Sequence, residues 1–308
     1  MKVISNIGQA KPDPRKTILV IGVFDGVHIG HQKLIRYALK RAYQMKGVAA
    51  LMTFQPHPVH VLRPEQRLPL LTNIQHRLQL IASMGIHKTF VVRFNKRFAQ
   101  LSPENFIKRY IEHSIDPVEI VVGEDFRFGA NRTGNPQEFK ELGNKYGFQI
   151  HFIQSLKKGS HKIGSSLIRE LVTQGKLTDV KKFLGRPFSF LGTVERGDQR
   201  GKKLGFPTAN LYPQKEVIPP IGVYAVKVRW KGRVYPGMAN VGRRPSFRQK
   251  KQTINIEVHI FDIQKDLYGE TIEVQFIKKI RNEKYFPQQA LLIQQLKKDE
   301  LACRRILT

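Results

Sequence analysis

A glycine-rich turn near the start of the chain carries two histidines in a pattern suited to phosphoryl chemistry. The turn spans residues 22–31 and reads Gly-Val-Phe-Asp-Gly-Val-His-Ile-Gly-His. If a helix begins here, His28 and His31 share one face of its first turn, because they are three residues apart. Two imidazoles beside the free N–H groups of a helix N-terminus can stabilise charge on a transferring phosphoryl group. The turn is therefore a candidate site for nucleotide phosphates.

Two other interpretations of this turn stay open. One is an ordinary connection between strand and helix that carries two surface histidines. The other is a metal site, for which Asp25 is the only nearby third ligand. The apolar run 17–21 before the turn and the helical pattern 32–39 after it favour the phosphate site. Three glycines would also let a ligand approach the backbone closely. They are Gly22, Gly26 and Gly30.

A second candidate site lies in the later part of the chain, where residues 205–210 read Gly-Phe-Pro-Thr-Ala-Asn. Thr208 and Asn210 alternate onto one face of an extended segment, and their neutral oxygens suit Mg²⁺ that also binds nucleotide phosphates. The recurring glycines around this segment permit a loop that covers phosphates. They are Gly197, Gly201 and Gly205. A basic hairpin loop with a polar strand edge is the alternative.

One acid lies in an otherwise apolar strand pattern further on. Glu257 is the only acid in residues 254–260. A carboxylate at such a place can accept the proton of a substrate hydroxyl. The alternative is an exposed strand glutamate without a catalytic role.

Two further segments carry groups that could bind substrates. Ser165 or Ser166 can cap a helix on which Arg169 lies one turn further along, and these groups could bind a leaving pyrophosphate. An ordinary helix cap is the alternative. The loop 123–129 places acids, aromatics and a base after a strand, and an ordered loop with an internal ion pair is its alternative.

The elements that position these residues follow two different patterns. Up to Gly185, buried-strand patterns alternate with helical patterns, which predicts a parallel sheet with helices on both faces. Ligands in such folds bind at the carboxyl ends of the strands, where the turn 22–31 is expected. From Phe188 on, short β-branched segments predict an antiparallel barrel, with a helix over 291–307 packed on it. We place the domain boundary near Gly185.

Composition limits the class of protein. The 308 residues suffice for two domains with their own cores. The net charge of +29 is spread over the chain, with 29 basic and 13 acidic residues in 1–185 and the remainder in 186–308. Anionic small substrates account for such an excess, and nucleic-acid binding is a minor alternative. We expect a cytoplasmic protein, because Cys303 is the only cysteine and neither a secretory signal nor a membrane span is apparent.

These motifs resemble a known family. The His-x-Gly-His signature resembles the adenylyl-transferring nucleotidyltransferases, and with the preceding Gly-x-Phe-Asp-Gly it looks like the bacterial bifunctional riboflavin kinase/FAD synthetases. Residues 205–210 resemble the riboflavin kinase signature residue for residue. Residues 240–247 and 281–286 resemble two later kinase motifs. The resemblance covers about residues 15–300, and the chain departs from the family pattern at Gly164, Ser166, Arg243 and Ser246.

The resemblance implies a fold and two activities. The fold is an α/β Rossmann-like nucleotidyltransferase domain (1–185), with a parallel sheet and helices on both faces. It is followed by a mostly antiparallel β-barrel riboflavin kinase domain (186–308) with a C-terminal helix. The second domain would phosphorylate riboflavin with ATP and Mg²⁺ to give FMN. The first would transfer AMP from ATP to FMN, giving FAD and pyrophosphate. Alternatives are a nucleotidyltransferase with another acceptor, such as pantetheine phosphate, and a nucleic-acid-binding protein.

The resemblance also implies site residues. The catalytic candidates are Glu257, His28 and His31. ATP in the first domain would contact Gly22, Phe24, Asp25, Gly26, His28, Gly30, His31, Ser165, Ser166 and Arg169. The flavin there would contact Phe54, His57, Asp125 and Phe126. ATP in the kinase would contact Gly197, Gly201, Lys203, Gly205, Pro207, Thr208 and Asn210, with Thr208 and Asn210 as metal ligands. The kinase flavin would contact Arg281, Glu283 and Phe286.

Overall fold

The chain divides into two compact units. The structure is a computed structural model and describes residues 1–159, 161–197, 201, 204–245, 252–263 and 265–308. The first unit comprises residues 1–68 and 74–165, and the second comprises residues 69–73 and 166–308. Lys203 and Ser246, which the sequence singled out, lie outside the described residues.

The first unit is built on a six-stranded sheet in which every neighbouring pair is parallel. Its strands are β1 (Lys2–Ile4), β2 (Thr17–Ile21), β3 (Val48–Gln55), β4 (Lys88–Arg93), β5 (Pro117–Gly123) and β6 (Gln149–Ile153). Their order across the sheet is β1-β4-β3-β2-β5-β6. This confirms the parallel α/β fold predicted from the alternating pattern.

Helical segments connect the strands of this sheet. They are α1 (Ile29–Gln44), α2 (Pro58–Leu62), α3 (Ile74–Ser83), α4 (Lys96–Ala99), α5 (Pro103–Phe106) and α6 (Pro136–Tyr146). Short 3-10 segments span Ile7–Gln9, Pro64–Gln66 and Ala130–Arg132, and a π-helical segment spans Ile107–Glu112. A small hairpin of β7 (Lys157–Lys158) and β8 (His161–Lys162) completes the unit. Asn135 caps α6, since its Oδ1 accepts hydrogen bonds from the N–H groups of Gln137 and Glu138.

Alternate residues of the central strands bury into two separate cores. In β2, Ile18 and Val20 join the core under α1 and α3, whereas Leu19 and Ile21 join the core under the helical segment 103–112 and α6. Strands covered on both faces need a continuous apolar run, which is why β2 and β3 read as unbroken hydrophobic segments.

The strand order fixes where ligands are expected in this unit. The chain moves from β2 to β3 and β4 on one side of the sheet, and then crosses to β5 and β6 on the other. The switch point therefore lies between the carboxyl ends of β2 and β5. The turn 22–31 follows β2, and the loop 123–129 follows β5.

The second unit holds a six-stranded antiparallel sheet. Its strands are β9 (Phe188–Thr193), β10 (Ala209–Leu211), β11 (Gly222–Trp230), β12 (Arg233–Pro245), β13 (Gln252–Ile260) and β14 (Thr271–Arg281). The order is β10-β13-β12-β11-β14-β9. The N–H of Glu195, just after β9, donates to the carbonyl of Asn210 in β10 at 2.9 Å, which links the two outer strands. The predicted antiparallel barrel is present as an antiparallel half-barrel, and this isolated bridge is not part of its regular strand pairing.

Within the described part of the second unit, the helices with defined bounds are α7 (Ser165–Thr173, of which residues 166–173 belong to this unit), α8 (Leu177–Leu184) and α9 (Gln289–Leu307). The predicted terminal helix is confirmed as α9, which packs on β11 and β12. Cys303 of α9 is buried, and desolvation raises the pKa of its thiol to about 12. It serves as a small apolar core residue of the second unit.

The unit boundary differs from the predicted one near Gly185. The helix α8 packs against β9 and β14, and residues 166–185 are grouped with the second unit. The segment 69–73 joins it as well, because the Leu70 N–H donates to the Lys215 carbonyl and the Leu70 carbonyl accepts from Val217. In the described part of the chain, no helix has both the length and the apolar character needed to cross a membrane.

Candidate active sites

The turn after β2 is folded so that His28 begins the helix α1. His28 is the N-cap residue, and its Nδ1 accepts a hydrogen bond from the His31 N–H at 3.3 Å. Three residues of the turn adopt positive φ: Phe24 (56°), Gly26 (80°) and Val27 (42°). Such angles are unusual for non-glycine residues and are found where surrounding structure imposes them, often at ligand sites.

The two histidine rings stack on each other. Their centroids are 3.6 Å apart with an interplanar angle of 22°, and the Phe24 ring lies 5.1 Å from that of His31. A Cβ at Gly30 would lie 3.1 Å from the His28 ring, so a residue without a side chain is favoured there. The structure therefore brings together the two histidines that the sequence predicted to share a face.

His31 is held in its neutral form. Burial, followed by the neighbouring His28 and Arg77, keeps the pKa of His31 well below its ordinary value of 6.5. Its Nδ1 is buried and has no hydrogen-bond partner among the described residues. A neutral imidazole acts on a phosphate as a hydrogen-bond donor and not as a full positive charge.

A buried cation that sequence reasoning missed lies in the same turn region. The Arg77 side chain is fully buried, and its Nη2 lies 3.7 Å from Oδ1 of the buried Asp25. Burial lowers the pKa of Arg77, although the Asp25 charge opposes this. The signal for it was that Arg77 shares a face of α3 with the buried Ile81, an unusual place for a charge.

Asp25 thus faces an arginine. Among the described residues, no three His, Cys, Asp or Glu side chains are grouped so as to hold a metal ion. The alternative of a metal bound by His28, His31 and Asp25 therefore finds no support in this geometry.

The serine and arginine positions after β8 fall on both sides of the unit boundary. The Ser165 hydroxyl donates to the Asp25 carbonyl at 2.9 Å within the first unit. Ser166 and Arg169 belong to the second unit, where Arg169 is buried on α7.

The first unit contains four predicted flavin contacts: two are aromatic residues packed in clusters, and two are polar residues that make hydrogen bonds or ion pairs. The ring of Phe54 packs against Phe94 and Phe98, while that of Phe126 packs against Phe128 and Phe139. His57 caps α2, since its Nδ1 accepts from the Val59 N–H at 3.2 Å. The exposed Asp125 pairs with Lys162 at 2.6 Å, and this pair lowers the carboxyl pKa against the opposing effect of partial burial.

In the second unit, most of the predicted kinase residues line one cavity of about 460 Å³. These are Gly201, Thr208, Asn210, Glu257, Arg281, Glu283 and Phe286. The sheet register explains how they meet, because Glu257 of β13 pairs with Asn210 of β10 on one side and with Asn240 of β12 on the other. A predicted metal ligand and the predicted base are thus direct neighbours across two strands.

A residue that the sequence argument missed joins them. Asn255 is buried, and its Nδ2 donates to Oδ1 of Asn210 at 3.1 Å and to Oε1 of Glu257 at 3.0 Å. The available signal was its spacing, since residues two apart on a strand share a face.

Two glycines lie against the predicted metal ligands. A Cβ at Gly197 would lie 2.3 Å from Nδ2 and 2.9 Å from Oδ1 of Asn210. A Cβ at Gly201 would lie 2.3 Å from the Phe206 carbonyl oxygen and 3.3 Å from Oγ1 of Thr208. The glycines predicted for a phosphate-covering loop therefore also leave room for Asn210 and Thr208.

Gly197→Ala is expected to displace the Asn210 side chain and to lower FMN formation by about one to two orders of magnitude, because small misplacements of reacting groups are costly. The measurement is the rate of riboflavin phosphorylation, with Gly164→Ala as control, since a Cβ at Gly164 would meet nothing within 4 Å. Normal FMN formation by folded Gly197→Ala would show that the packing of Gly197 on Asn210 has no catalytic importance.

The predicted flavin residue Arg281 is held by the helix α9. Its Nε and Nη2 donate to the buried Asp299 carboxylate at 2.8–3.0 Å, and Nη1 donates to the Asn282 carbonyl at 3.0 Å. The guanidinium carbon lies 5.8 Å from the centroid of the Phe286 ring. With its nitrogens occupied in this way, Arg281 is suited to pack against a flat ring and less suited to bind an anion.

The fold and these two sites define a class of protein. A parallel α/β unit presents paired histidines at its switch point, and an antiparallel half-barrel presents neutral oxygens beside a carboxylate in one cavity. These are features of an enzyme with two nucleotide-dependent transferase sites.

Comparison with known families specifies the class. The family model of FAD synthetase matches residues 10–167, and that of riboflavin kinase matches residues 184–307. The chain belongs to the family of bifunctional riboflavin kinase/FMN adenylyltransferases. It is an enzyme with both activities, and ATP and flavins are its small-molecule ligands.

Individual relatives match over nearly the full length. A bifunctional riboflavin kinase/FMN adenylyltransferase of Buchnera aphidicola subsp. Schizaphis graminum is 38% identical over 301 residues, covering 97% of this chain and 96% of the relative. The protein of that name from Escherichia coli is 36% identical over 306 residues, and the match covers 99% of this chain and 97% of that relative. A crystal structure titled macrolide-efflux protein, from Streptococcus pneumoniae, is 31% identical with a TM-score of 0.83 and covers 98% of both chains.

Proposed function

We propose that riboflavin is phosphorylated in the cavity of the half-barrel and that AMP is transferred to FMN at the turn 22–31. The observation that carries the first assignment is the pairing of Asn210 with Glu257 in a cavity that Thr208 also lines. This pairing supports the assignment, because a carboxylate that could accept a proton lies opposite a neutral side chain that could bind a cation.

In the kinase reaction, Glu257 accepts the proton of the terminal ribityl hydroxyl of riboflavin. The hydroxyl oxygen forms a bond to the γ-phosphorus of ATP, and the bond from that phosphorus to the bridging oxygen breaks, releasing ADP. Gly197, Gly201, Gly205, Pro207 and the undescribed Lys203 are the proposed nucleotide contacts. Arg281, Glu283 and Phe286 are the proposed flavin contacts.

The residues present fit Mg²⁺. Thr208 and Asn210 offer neutral hard oxygens, and Asn255 adds a buried Oδ1 that has no hydrogen-bond partner among the described residues. Thr208 and Asn210 would hold the ion, which neutralises phosphate charge when bound.

In the adenylyl transfer, the phosphate of FMN attacks the α-phosphorus of ATP, and pyrophosphate leaves. His28 and His31 donate hydrogen bonds to phosphate oxygens, and the α1 N-terminus adds its free N–H groups. The other proposed nucleotide contacts are Gly22, Phe24, Asp25, Gly26, Gly30, Ser165, Ser166 and Arg169. The proposed flavin contacts are Phe54, His57, Asp125 and Phe126.

The direct test is to incubate the enzyme with riboflavin, ATP and Mg²⁺ and to separate the flavins by chromatography. We expect FMN first and FAD next, and removal of Mg²⁺ by a chelator should stop FMN formation. A chain that adenylylates pantetheine phosphate and leaves riboflavin unchanged would contradict the proposal. The alternative of nucleic-acid binding is tested with an oligonucleotide, whose binding would weaken steeply with salt if phosphate contacts drove it.

We propose a kinase domain of residues 186–308 and an adenylyltransferase domain of residues 1–185, acting in the cytoplasm. The cytoplasmic location is supported by the single cysteine, which cannot form an internal disulfide.

A fragment of residues 186–308 is expected to fold and make FMN, but to melt at a lower temperature than a fragment of residues 166–308. The longer fragment keeps α8, which packs on β9 and β14 and buries four apolar side chains. These are Leu177, Val180, Phe183 and Leu184. Thermal unfolding and riboflavin phosphorylation are measured on both. A folded longer fragment that makes no FMN would show that the half-barrel alone is not the kinase.

A further inference from the structure

We propose that Asn255 is a positioning residue for riboflavin phosphorylation, whose side-chain amide ties the proposed metal ligand Asn210 to the proposed base Glu257. This rests on the function proposed above for the half-barrel cavity. Asn255 does not contact the reacting atoms itself. It fixes the orientation of Asn210, which would bind the ion, and of Glu257, which would accept the proton.

The hydrogen bonds are those of one NH₂ group with two acceptors. Nδ2 of Asn255 donates to Oδ1 of Asn210 at 3.1 Å and to Oε1 of Glu257 at 3.0 Å. An amide nitrogen carries two hydrogens, so both bonds form at once. Asn255 is 3% exposed and Asn210 is 5% exposed, so water competes little with either bond.

Each bond settles an orientation that the reaction needs. A carboxamide can present either its oxygen or its nitrogen, and only the oxygen can bind a cation. The donor of Asn255 favours the arrangement in which Asn210 presents Oδ1, and a second lone pair of that oxygen is left for the ion. On Glu257 the bond is accepted by Oε1, and it fixes the orientation of the carboxylate that is proposed to accept the proton of the substrate hydroxyl.

The position of Asn255 on its strand supports this role. Asn255, Glu257 and His259 lie two residues apart on β13 and all line the cavity. At the far end of this row, Nδ1 of His259 lies 2.8 Å from the Pro207 carbonyl oxygen. Asn255 and His259 therefore hold the two ends of the segment 207–210, through Asn210 and Pro207.

A second observation points to a ligand beside Asn255. Its Oδ1 is buried and accepts no hydrogen bond from any described residue. Buried acceptors are normally paired, and this one belongs to a side chain that lines the cavity. Water molecules that Mg²⁺ retains in its coordination shell would supply the missing O–H donor.

The test compares Asn255→Leu, which has similar size but no donor, with Asn255→Ser, which keeps one. In the intact chain we expect Asn255→Leu to lower the kcat of FMN formation by about 10- to 100-fold and to weaken binding of Mn²⁺ with ADP by a similar factor. Mn²⁺ binding is measured from the electron paramagnetic resonance signal of the free ion. Asn255→Ser should recover part of both losses. FMN adenylylation in the same preparation should stay unchanged.

The matched control is Ile254→Leu, at the exposed neighbouring position on the other face of β13. If Asn255→Leu does not fold, Asn255→Ser decides the question. Kinase kcat and Mn²⁺ affinity both within twofold of the unchanged protein in a folded variant would overturn the inference. Equal losses of kinase kcat in Asn255→Leu and Asn255→Ser, with unaltered Mn²⁺ binding, would also overturn the inference. If Glu257→Gln keeps normal kinase activity, the proposed role of Glu257 as the base fails, whereas inactivity of that variant beside a normal Asn255→Leu refutes only this inference.

Discussion

Glu257→Gln is expected to slow FMN formation by roughly two to four orders of magnitude, while FMN supplied to the enzyme is still converted to FAD. Glutamine keeps the shape of the side chain and can accept the Asn255 hydrogen bond, but it cannot take up the ribityl proton. The strand pairing with Asn210 and Asn240 should hold the substituted side chain in the same place. The measurement is the rate of each half reaction, followed by chromatography of the flavins.

A control for this substitution is Glu300→Gln, which removes a carboxylate on α9 that pairs with Arg304 and does not line the cavity. That variant should make FMN at the normal rate. If folded Glu257→Gln also retains near-normal kinase activity, Glu257 is an ordinary strand residue, and the proton must leave by another route.

His31→Ala is expected to lower FAD formation from FMN by about two to three orders of magnitude and to leave riboflavin phosphorylation intact. The substitution removes a neutral donor whose pKa is held below 6.5 by burial, and it also removes the ring on which His28 stacks. Both effects act at the turn after β2 and leave the half-barrel cavity unchanged. The two activities are assayed separately, with FMN or riboflavin as the flavin supplied.

His113→Ala, at an exposed position in the same unit, is the matched control and should retain both activities. Equal loss of FMN and FAD formation in a folded His31→Ala protein would contradict the idea that the two reactions use separate sites. The melting temperature of each variant separates a local catalytic effect from general destabilisation.

Features that depend on neighbouring residues could be predicted from the sequence. The apolar run of β2 is buried at every position, and the glycine-rich turn lies between β2 and α1, as the flanking patterns predicted. The alternation of strand and helix patterns in the first half of the chain was therefore enough to predict the parallel sheet. The short strand patterns in the second half were enough to predict the antiparallel one. Local spacing also predicted that His28 and His31 share a face at the start of α1, where their rings stack.

Features that depend on distant partners could not be predicted. Arg77 is a charge within a helical pattern, and only the packed fold shows that it faces Asp25. The pairing of Arg281 with Asp299 requires the helix α9 to lie beside the end of β14. The grouping of residues 69–73 with the second unit depends on hydrogen bonds to residues 215–217, which no local pattern indicates.

The buried thiol of Cys303 makes the native sequence a suitable background for spectroscopic labelling. Desolvation, with smaller contributions from Asp299 and Glu300, raises its pKa to about 12, so almost none of it is thiolate at neutral pH. Because the thiolate is the reactive form, maleimide dyes and nitroxide reagents should leave this residue unmodified. A cysteine introduced at Tyr285, which is 85% exposed between β14 and α9, could then be labelled without first removing the natural one.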